Sequence, residues 1–509
     1  MLGAVRSAWR ALPGAERVAL VVALGWLAAA EALFWGITYD DAWISLRYAE
    51  HLVAGQGWVF NSGGERVEGA SNPLWVVFLA GCTAAHLPAM TMAKAAGAAA
   101  GFCLPLIALA LAARLPPGRP HAVGAVLTAV AAPVAFWAVD GLETGVYAGV
   151  LGGAVWLATE DLARRRAVPR AAFAVLAAAL LRPEGIAFAI PLLWVFWRHG
   201  DSSGRRARTR AAGAILLAGF GAFLLWRRLY FGSWVPNTYW AKAANPALWD
   251  RGPGWAYLAD FLGEWGGPVA PGLAVLAVAS PGAGGGGAVL AGGFVAAQAA
   301  FVAAVPRDWM FAWRFMVPAW MPLAVLAAAG ALVVREVLAR AGWSPRRLRG
   351  LAAAGALAVA GLAARRAWVL HDQFLPARGG DRSVHEQLGR WLKAVLPPTA
   401  RVALSDAGAV PYFSGLAAVD LLGLTDPWIA RHAPDEIARE VVERRRPEVI
   451  VLAEKDRQLA PGVVGLAAVF PVDRLIGAHP GFRAGWVRRG LWAYSNEYDL
   501  VVYFRADIQ

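Results

Sequence analysis

Eleven apolar runs, separated by short polar stretches, occupy the first 366 residues. They cover 17–36, 91–113, 122–139, 144–160, 167–181, 185–197, 211–229, 267–280, 288–305, 315–334 and 350–366. A membrane-crossing helix takes about 20 mainly apolar residues, so the pattern predicts eleven spans, several of them short. A further run, 74–87, fits either a span or a helix lying on the membrane surface. From about residue 367 the pattern changes. Charged residues are spread throughout, and strand-like runs at 401–404 and 448–453 are interleaved with helical patterns at 383–395 and 433–445. Such alternation predicts a small α/β domain over 367–509. The glycine-rich segment 281–287 reads as a flexible loop.

Composition agrees with a membrane protein. Of 509 residues, 58% are hydrophobic and only 16% are charged, against about 25% charged in soluble globular chains. Mean hydropathy is +0.48. A soluble enzyme, a disordered chain and a disulfide scaffold are excluded. Cys82 and Cys103 lie in apolar runs and read as small buried hydrophobes. Most of the 25 tryptophans read as interfacial anchors and core.

The net charge of +13 points to orientation in a bilayer, not to nucleic acid. Lys and Arg concentrate on the cytoplasmic side of membrane proteins. With 74–87 on the surface and the N-terminus inside, the inner segments hold 19 Lys and Arg and the outer ones 9. With 74–87 as a span the counts become 10 and 18. The first arrangement is therefore expected: a transmembrane domain over 1–366 with a long outer loop at 37–90, and an extracytoplasmic domain over 367–509. The first apolar run reads as a retained span. The expected location is the bacterial plasma (inner) membrane, crossed many times, with a cytoplasmic N-terminus.

Ionisable residues at the membrane edge are where function is best sought. On this topology they gather outside: Asp40 and Asp41 after the first run, Glu68 and Asn72 in the first loop, then Asp140 and Glu143, Arg182 and Glu184, Asn237, Tyr239 and Lys242, and Asp308, Trp309 and Arg314. Two adjacent carboxylates suit a general base or a cation ligand such as Mg²⁺ or Mn²⁺, which leaves metal dependence open. Cations on the same side suit a phosphate.

Several segments carry a family resemblance. Thr38-Tyr-Asp-Asp-Ala-Trp-Ile-Ser-Leu-Arg-Tyr-Ala49, Gly55-Gln-Gly-Trp-Val-Phe-Asn61 and Gly64-Glu-Arg-Val-Glu-Gly-Ala-Ser-Asn-Pro-Leu-Trp75 resemble the first outer loop of bacterial multispanning glycosyltransferases of the GT-C fold. The group is the one that includes the terminal β-(1→2) arabinofuranosyltransferase of the actinobacterial cell wall. Gly141-Leu-Glu-Thr144, Arg182-Pro-Glu-Gly185, Val235-Pro-Asn-Thr-Tyr-Trp-Ala-Lys242, Asp308-Trp-Met310 with Arg314-Phe315, and Asp406-Ala-Gly-Ala-Val-Pro-Tyr412 with 420–426 also resemble that group. The group reads Gly-Gly-Asp before Trp-Met, whereas this chain reads Pro306-Arg307-Asp308, which keeps the aspartate and adds a cation.

The resemblance implies a polytopic α-helical GT-C membrane protein with a C-terminal α/β domain. It implies a polyprenyl-phosphate sugar donor, with arabinofuranose the first expectation, and a cell-envelope glycan acceptor. In that reading Asp41 or Asp40 deprotonates the acceptor hydroxyl and the sugar inverts. Lys242, Arg314 and Arg182 bind the donor phosphate. Glu68, Asn72, Glu143, Glu184, Asn237, Tyr239, Asp308 and Trp309 bind sugar or acceptor. A transporter or flippase of a lipid-linked sugar is the alternative. It predicts helices broken near the midplane or internal repeats, and no repeat is evident.

Overall fold

The computed structural model of the protein describes residues 1–115, 121–199, 202–249, 252–265, 267–280, 286–374, 383–460, 463–493 and 498–508. Most of the glycine-rich segment 281–287 lies outside the described residues. The chain forms two compact units. One comprises Met1–Trp35, Ala93–Phe223 and Pro253–Leu370; the other comprises Gly36–Met92, Leu224–Gly252 and His371–Gln509. The sequence groups 37–90 with the helical part. In the structure that loop packs in the same unit as the C-terminal residues.

All eleven predicted runs are helical, and they differ in length. Among the described residues six helices are long and apolar enough to cross a membrane: Gly14–Phe34, Ala89–Ala112, Gly204–Phe231, Gly287–Ala304, Arg314–Arg340 and Pro345–Leu370. The protein is thus a multi-pass membrane protein. The other five runs are shorter, bent or interrupted, except for the 20-residue helix Thr144–Ala163, which ends in charge. Run 122–139 becomes Val123–Ala129 and Ala132–Phe136, because Pro133 has no N–H with which to continue the helical ladder. Arg170–Leu181 stops at Arg182, whose extended backbone precedes Pro183, and a 3-10 turn Pro183–Phe188 leads into Ala189–Arg198. Thr144–Ala163 carries Glu160 and Asp161 in its last turns. Gly254–Glu264 and Val269–Ala279 meet at a 93° bend.

Close helix packing in the first unit relies on residues without side chains. A Cβ on Gly97 would meet the Ala138 carbonyl oxygen at 1.9 Å, so only glycine lets that helix approach the 137–143 loop.

In the second unit, run 74–87 folds as the helix Pro73–Ala84, 12 residues long. At 1.5 Å per residue this is roughly 18 Å, well short of a hydrocarbon core of ~30 Å. The helix Asp40–Val53 packs against it.

The same unit holds a six-stranded sheet: β1 Arg401–Leu404, β2 Ala417–Asp420, β3 Val449–Ala460, β4 Val463–Ala468, β5 Trp486–Ala493 and β6 Asp499–Arg505. The order is β2-β1-β3-β6-β5, with β4 also on β3. β1 runs parallel to β2 and β3, placing Leu404 beside Asp420 and Val451. β6 is antiparallel to β3 and β5. Val402, Ala403 and Leu404 are all buried, as expected of a parallel strand covered on both faces. The helix Val384–Val395 covers the sheet with Val384, Leu388 and Leu392 at a four-residue spacing, and Ser383 caps it through its hydroxyl, which accepts the Glu386 N–H at 3.2 Å.

Candidate functional site

Asp40 and Asp41 open the helix Asp40–Val53, where carboxylates complement the positive end of the helix dipole. The two are not equivalent. Asp40 Oδ2 accepts the Gly408 N–H at 2.9 Å, and Oδ1 accepts the Ala409 N–H at 2.7 Å. The receiving loop follows β1, at the carboxyl end of parallel strands, which is where open α/β sheets bind ligands. Burial pushes the Asp40 carboxyl up to about 6, against the pull of His385 and the Ala409 N–H. Behind it, His385 Nε2 lies 2.9 Å from Asp406 Oδ2, and the Tyr498 hydroxyl donates to the same oxygen at 2.8 Å. Asp40 is therefore a docking group as well as a carboxylate.

The rest of the first loop is tied down in the same unit. Arg47 is buried and donates to the carbonyls of Phe60 and Leu416, each at 2.8 Å, and of Pro411. Asn61 mimics a strand against Ala418: its amide nitrogen donates to the Ala418 carbonyl at 2.8 Å, and its oxygen accepts the Ala418 N–H at 2.9 Å. Glu68 is buried in a two-pronged ion pair with Arg227, at 2.6 and 2.9 Å. Burial raises the Glu68 carboxyl, and Arg227 opposes the rise. Asn72 bonds the Ser45 hydroxyl at 3.1 Å. Asn237 is buried and donates to the carbonyls of Gly423 and Leu424 at 2.8 and 2.9 Å. Lys242 lies 5.5 Å from the Trp249 ring centroid, and Tyr239 is largely exposed.

The first unit gathers a second set of sequence candidates. Arg182 pairs with Glu184 at 2.5 Å and with Glu143 at 2.8 Å. Arg314 grips Asp308 with two nitrogens, at 3.0 and 3.1 Å. Ala312 and Trp313, just before Arg314, both have φ of 54°. That left-handed conformation is costly for residues with side chains, and it turns Arg314 back toward Asp308. The two guanidinium groups share one ring: Arg182 lies 5.4 Å and Arg314 5.0 Å from the Phe315 centroid. Asp140 is buried, with Oδ1 accepting the Leu142 N–H at 3.2 Å and Oδ2 without a hydrogen-bond partner among the described residues. Burial pushes its carboxyl up to about 8, and the charges of Lys94 and Arg314 act against this. Trp309 is partly buried. Arg307, the cation by which this chain departs from the pattern of the group it resembles, is partly exposed and pairs with Asp260 at 2.5 Å.

Sequence reasoning therefore finds both groups and misses their partners. Arg227, His385 and Tyr498 carried no motif signal, and Arg47 lay inside a quoted fragment with no role assigned to it. Gly408 lay inside a quoted fragment, but its role was hidden because its partner is 368 residues away. Among the described residues, no group of three or more His, Cys, Asp or Glu is placed to hold a metal ion.

Solved structures with this architecture cover nearly the whole chain. The crystal structure of ArnT from Cupriavidus metallidurans, bound to undecaprenyl phosphate, superposes with a TM-score of 0.56 at 16% identity, covering 95% of this chain and 97% of that one. The oligosaccharyltransferase AglB from Archaeoglobus fulgidus, in complex with an inhibitory peptide and a dolichol-phosphate, superposes with a TM-score of 0.55 at 12% identity, over 90% of this chain and 74% of that one. The chain has the GT-C fold.

At sequence level, the terminal beta-(1->2)-arabinofuranosyltransferase of Mycobacterium tuberculosis is 29% identical over 240 residues, which is 42% of this chain. The matched stretch spans about a third of that relative's length (36%). Residues 375–503 match a family described as a domain of unknown function, DUF8728.

Proposed function

We propose that this GT-C protein is a glycosyltransferase that moves a sugar from a polyprenyl-phosphate donor to a cell-envelope glycan. The observation that carries the reading is the likeness over 95% of the chain to a structure bound to undecaprenyl phosphate. The arabinofuranosyltransferase relative favours arabinofuranose as the sugar. In this reading the protein sits in a bacterial plasma (inner) membrane with residues 1–366 as the membrane domain, its N-terminus cytoplasmic and residues 367–509 outside.

The acceptor hydroxyl attacks the anomeric carbon, the bond from that carbon to the phosphate oxygen breaks, and the sugar inverts. Asp41 takes the hydroxyl proton. Asp40 spends an oxygen on each of two backbone N–H groups, so it holds the helix start and leaves the proton to its neighbour. The departing phosphate develops negative charge, which fixed cations stabilise. Arg314, Arg182 and Lys242 are those cations. Asp308, Glu143 and Glu184 hold the two arginines in place through the ion pairs described above. Glu68, Asn72, Asn237, Tyr239 and Trp309 shape the ground on which sugar and acceptor rest.

The purified protein, incubated with polyprenyl-phosphate arabinofuranose and an arabinofuranosyl oligosaccharide, should form an elongated glycan and free polyprenyl phosphate. Asp41→Asn should abolish both products at unchanged thermal stability. Near-normal turnover by that variant would remove Asp41 from the chemistry.

A further inference from the structure

The helix that begins with the two aspartates also forms one wall of a cavity of about 540 Å³, within the size range of small-ligand sites. Trp43, Leu46 and Glu50 line it from that helix, and Tyr412 closes one side. The remaining wall is the end of Pro73–Ala84, the turn after it and the first residues of Ala89–Ala112, where Thr83, His86 and Thr91 contribute polar groups beside Leu87 and Met90. Trp43 and Tyr412 are packed with ring centroids 4.8 Å apart at 37°. The Tyr412 hydroxyl donates to Glu50 Oε1 at 2.5 Å, and Glu50 is exposed.

We infer that this cavity is a subsite for the distal sugars of a neutral glycan acceptor, a proposal that rests on the glycosyltransferase reading above. Sugar rings present a face of C–H groups that packs on aromatic rings and a rim of hydroxyls that seeks carboxylates, imidazoles and threonines. Trp43 and Tyr412 offer the first; Glu50, His86 and Thr83 offer the second. The lining has no Lys or Arg among the described residues, and its charged group is an acid. A phosphate headgroup is recognised by cations, so this lining disfavours the lipid donor and favours an uncharged, hydroxyl-rich chain. Position sets the path: Glu50 follows Asp41 by nine residues of helix, roughly 13 Å along the axis and about half a turn round it at 3.6 residues per turn, so a glycan that wraps the start of the helix places its reactive end near Asp41 and its further residues in the cavity.

Two measurements test this. With an arabinofuranosyl pentasaccharide as acceptor, the double variant Glu50→Gln, His86→Ala should raise the acceptor KM about 10-fold. Donor KM and kcat should stay within twofold, and a disaccharide acceptor should change less than twofold. An unchanged pentasaccharide KM, in a wild-type protein that transfers sugar, overturns the subsite and leaves the glycosyltransferase reading standing. The second measurement needs no turnover. A photoreactive p-benzoyl-phenylalanine in place of Leu87, in nanodisc-held full-length protein, should cross-link the pentasaccharide. Cross-linking to polyprenyl phosphate or bilayer lipid alone would make the cavity a lipid groove and overturn the proposal. Glycan cross-linking in a protein that transfers nothing would uphold glycan binding and count against the catalytic reading.

Discussion

Asp40 and Gly408 sit so close that a Cβ added to Gly408 would lie 2.0 Å from the Asp40 carbonyl oxygen and 2.5 Å from its carboxylate. The contact joins the start of the aspartate-bearing helix to the loop after β1. Glycine is required there for space.

Gly408→Ala should therefore undo this docking. Overpacking of this kind costs about 1–3 kcal/mol. The expected result is a lower melting temperature and transfer reduced at least 10-fold. A variant with normal melting and normal transfer would show that the docking has no part in activity.

Exchanging each aspartate separately distinguishes a docking group from a base. Asp41→Asn should lower kcat by about 10²–10⁴, the usual range for losing a general base, with melting unchanged. Asp40→Asn should lower both, because its amide NH₂ faces a backbone N–H where a second acceptor is needed. A melting shift in Asp41→Asn and none in Asp40→Asn would reverse the two roles.

Arg314→Lys keeps the charge but loses the two-pronged grip on Asp308 and the flat contact with Phe315. Transfer should fall roughly 10-fold, with a higher KM for the lipid donor. Asp308→Ala should be worse for the fold, since removing one partner of a buried pair costs about 3–5 kcal/mol. Melting curves of the two variants check the contrast.

Stability should rise as pH falls from 8 to 5. Burial raises Asp420 and Asp473 to about 7 and Asp40 to about 6, against about 3.9 for an unfolded aspartate. Burial also works against the charge of His385, but the bond to Asp406 and the charges of Asp40 and Asp406 carry it above its ordinary value. All four groups bind protons more tightly when folded. Their stabilisation is present at low pH and is lost as pH rises through the folded values. Glu448 is shifted downward, so its own loss of stability falls near or below pH 4.5, outside the window, while His51, shifted downward by burial, takes back part of the gain toward the acid end. A net effect of about 1–2 kcal/mol would move the melting temperature by roughly 2–8 °C. Thermal unfolding in detergent at pH 5, 6.5 and 8 would show the trend, and a higher melting temperature at pH 8 would contradict it.

Local pattern carried the helices and part of the sheet. Runs with a steady apolar period became helices, and the strand-like runs near 401 and 448 correspond to β1 and the start of β3. Pattern failed where a backbone detail decides the outcome. The break before Pro133 turned one expected span into two short helices. β5 sets Arg488, Arg489 and Gly490 between its apolar residues, a polar interruption that a loop also shows. Chemistry was legible as residue type and position, so both aspartates and both arginines stood out. What could not be read was pairing: Glu68 finds Arg227 159 residues away, and no local signal encodes such a distance.

Arg47 binds carbonyls at Pro411 and Leu416, 364 and 369 residues further along. During synthesis that gap is a delay. At about 5–20 residues per second, roughly 20–70 s pass between translation of Arg47 and of its last partners. For that interval the aspartate-bearing loop has its helix and, once Arg227 is made, the Glu68–Arg227 pair, but none of the bonds that fix it to the C-terminal residues. A chain cut short before residue 411 never acquires them. These contacts are thus withheld until residues 408–416 exist, and a stalled ribosome leaves in the membrane a fragment whose aspartate-bearing loop is not set.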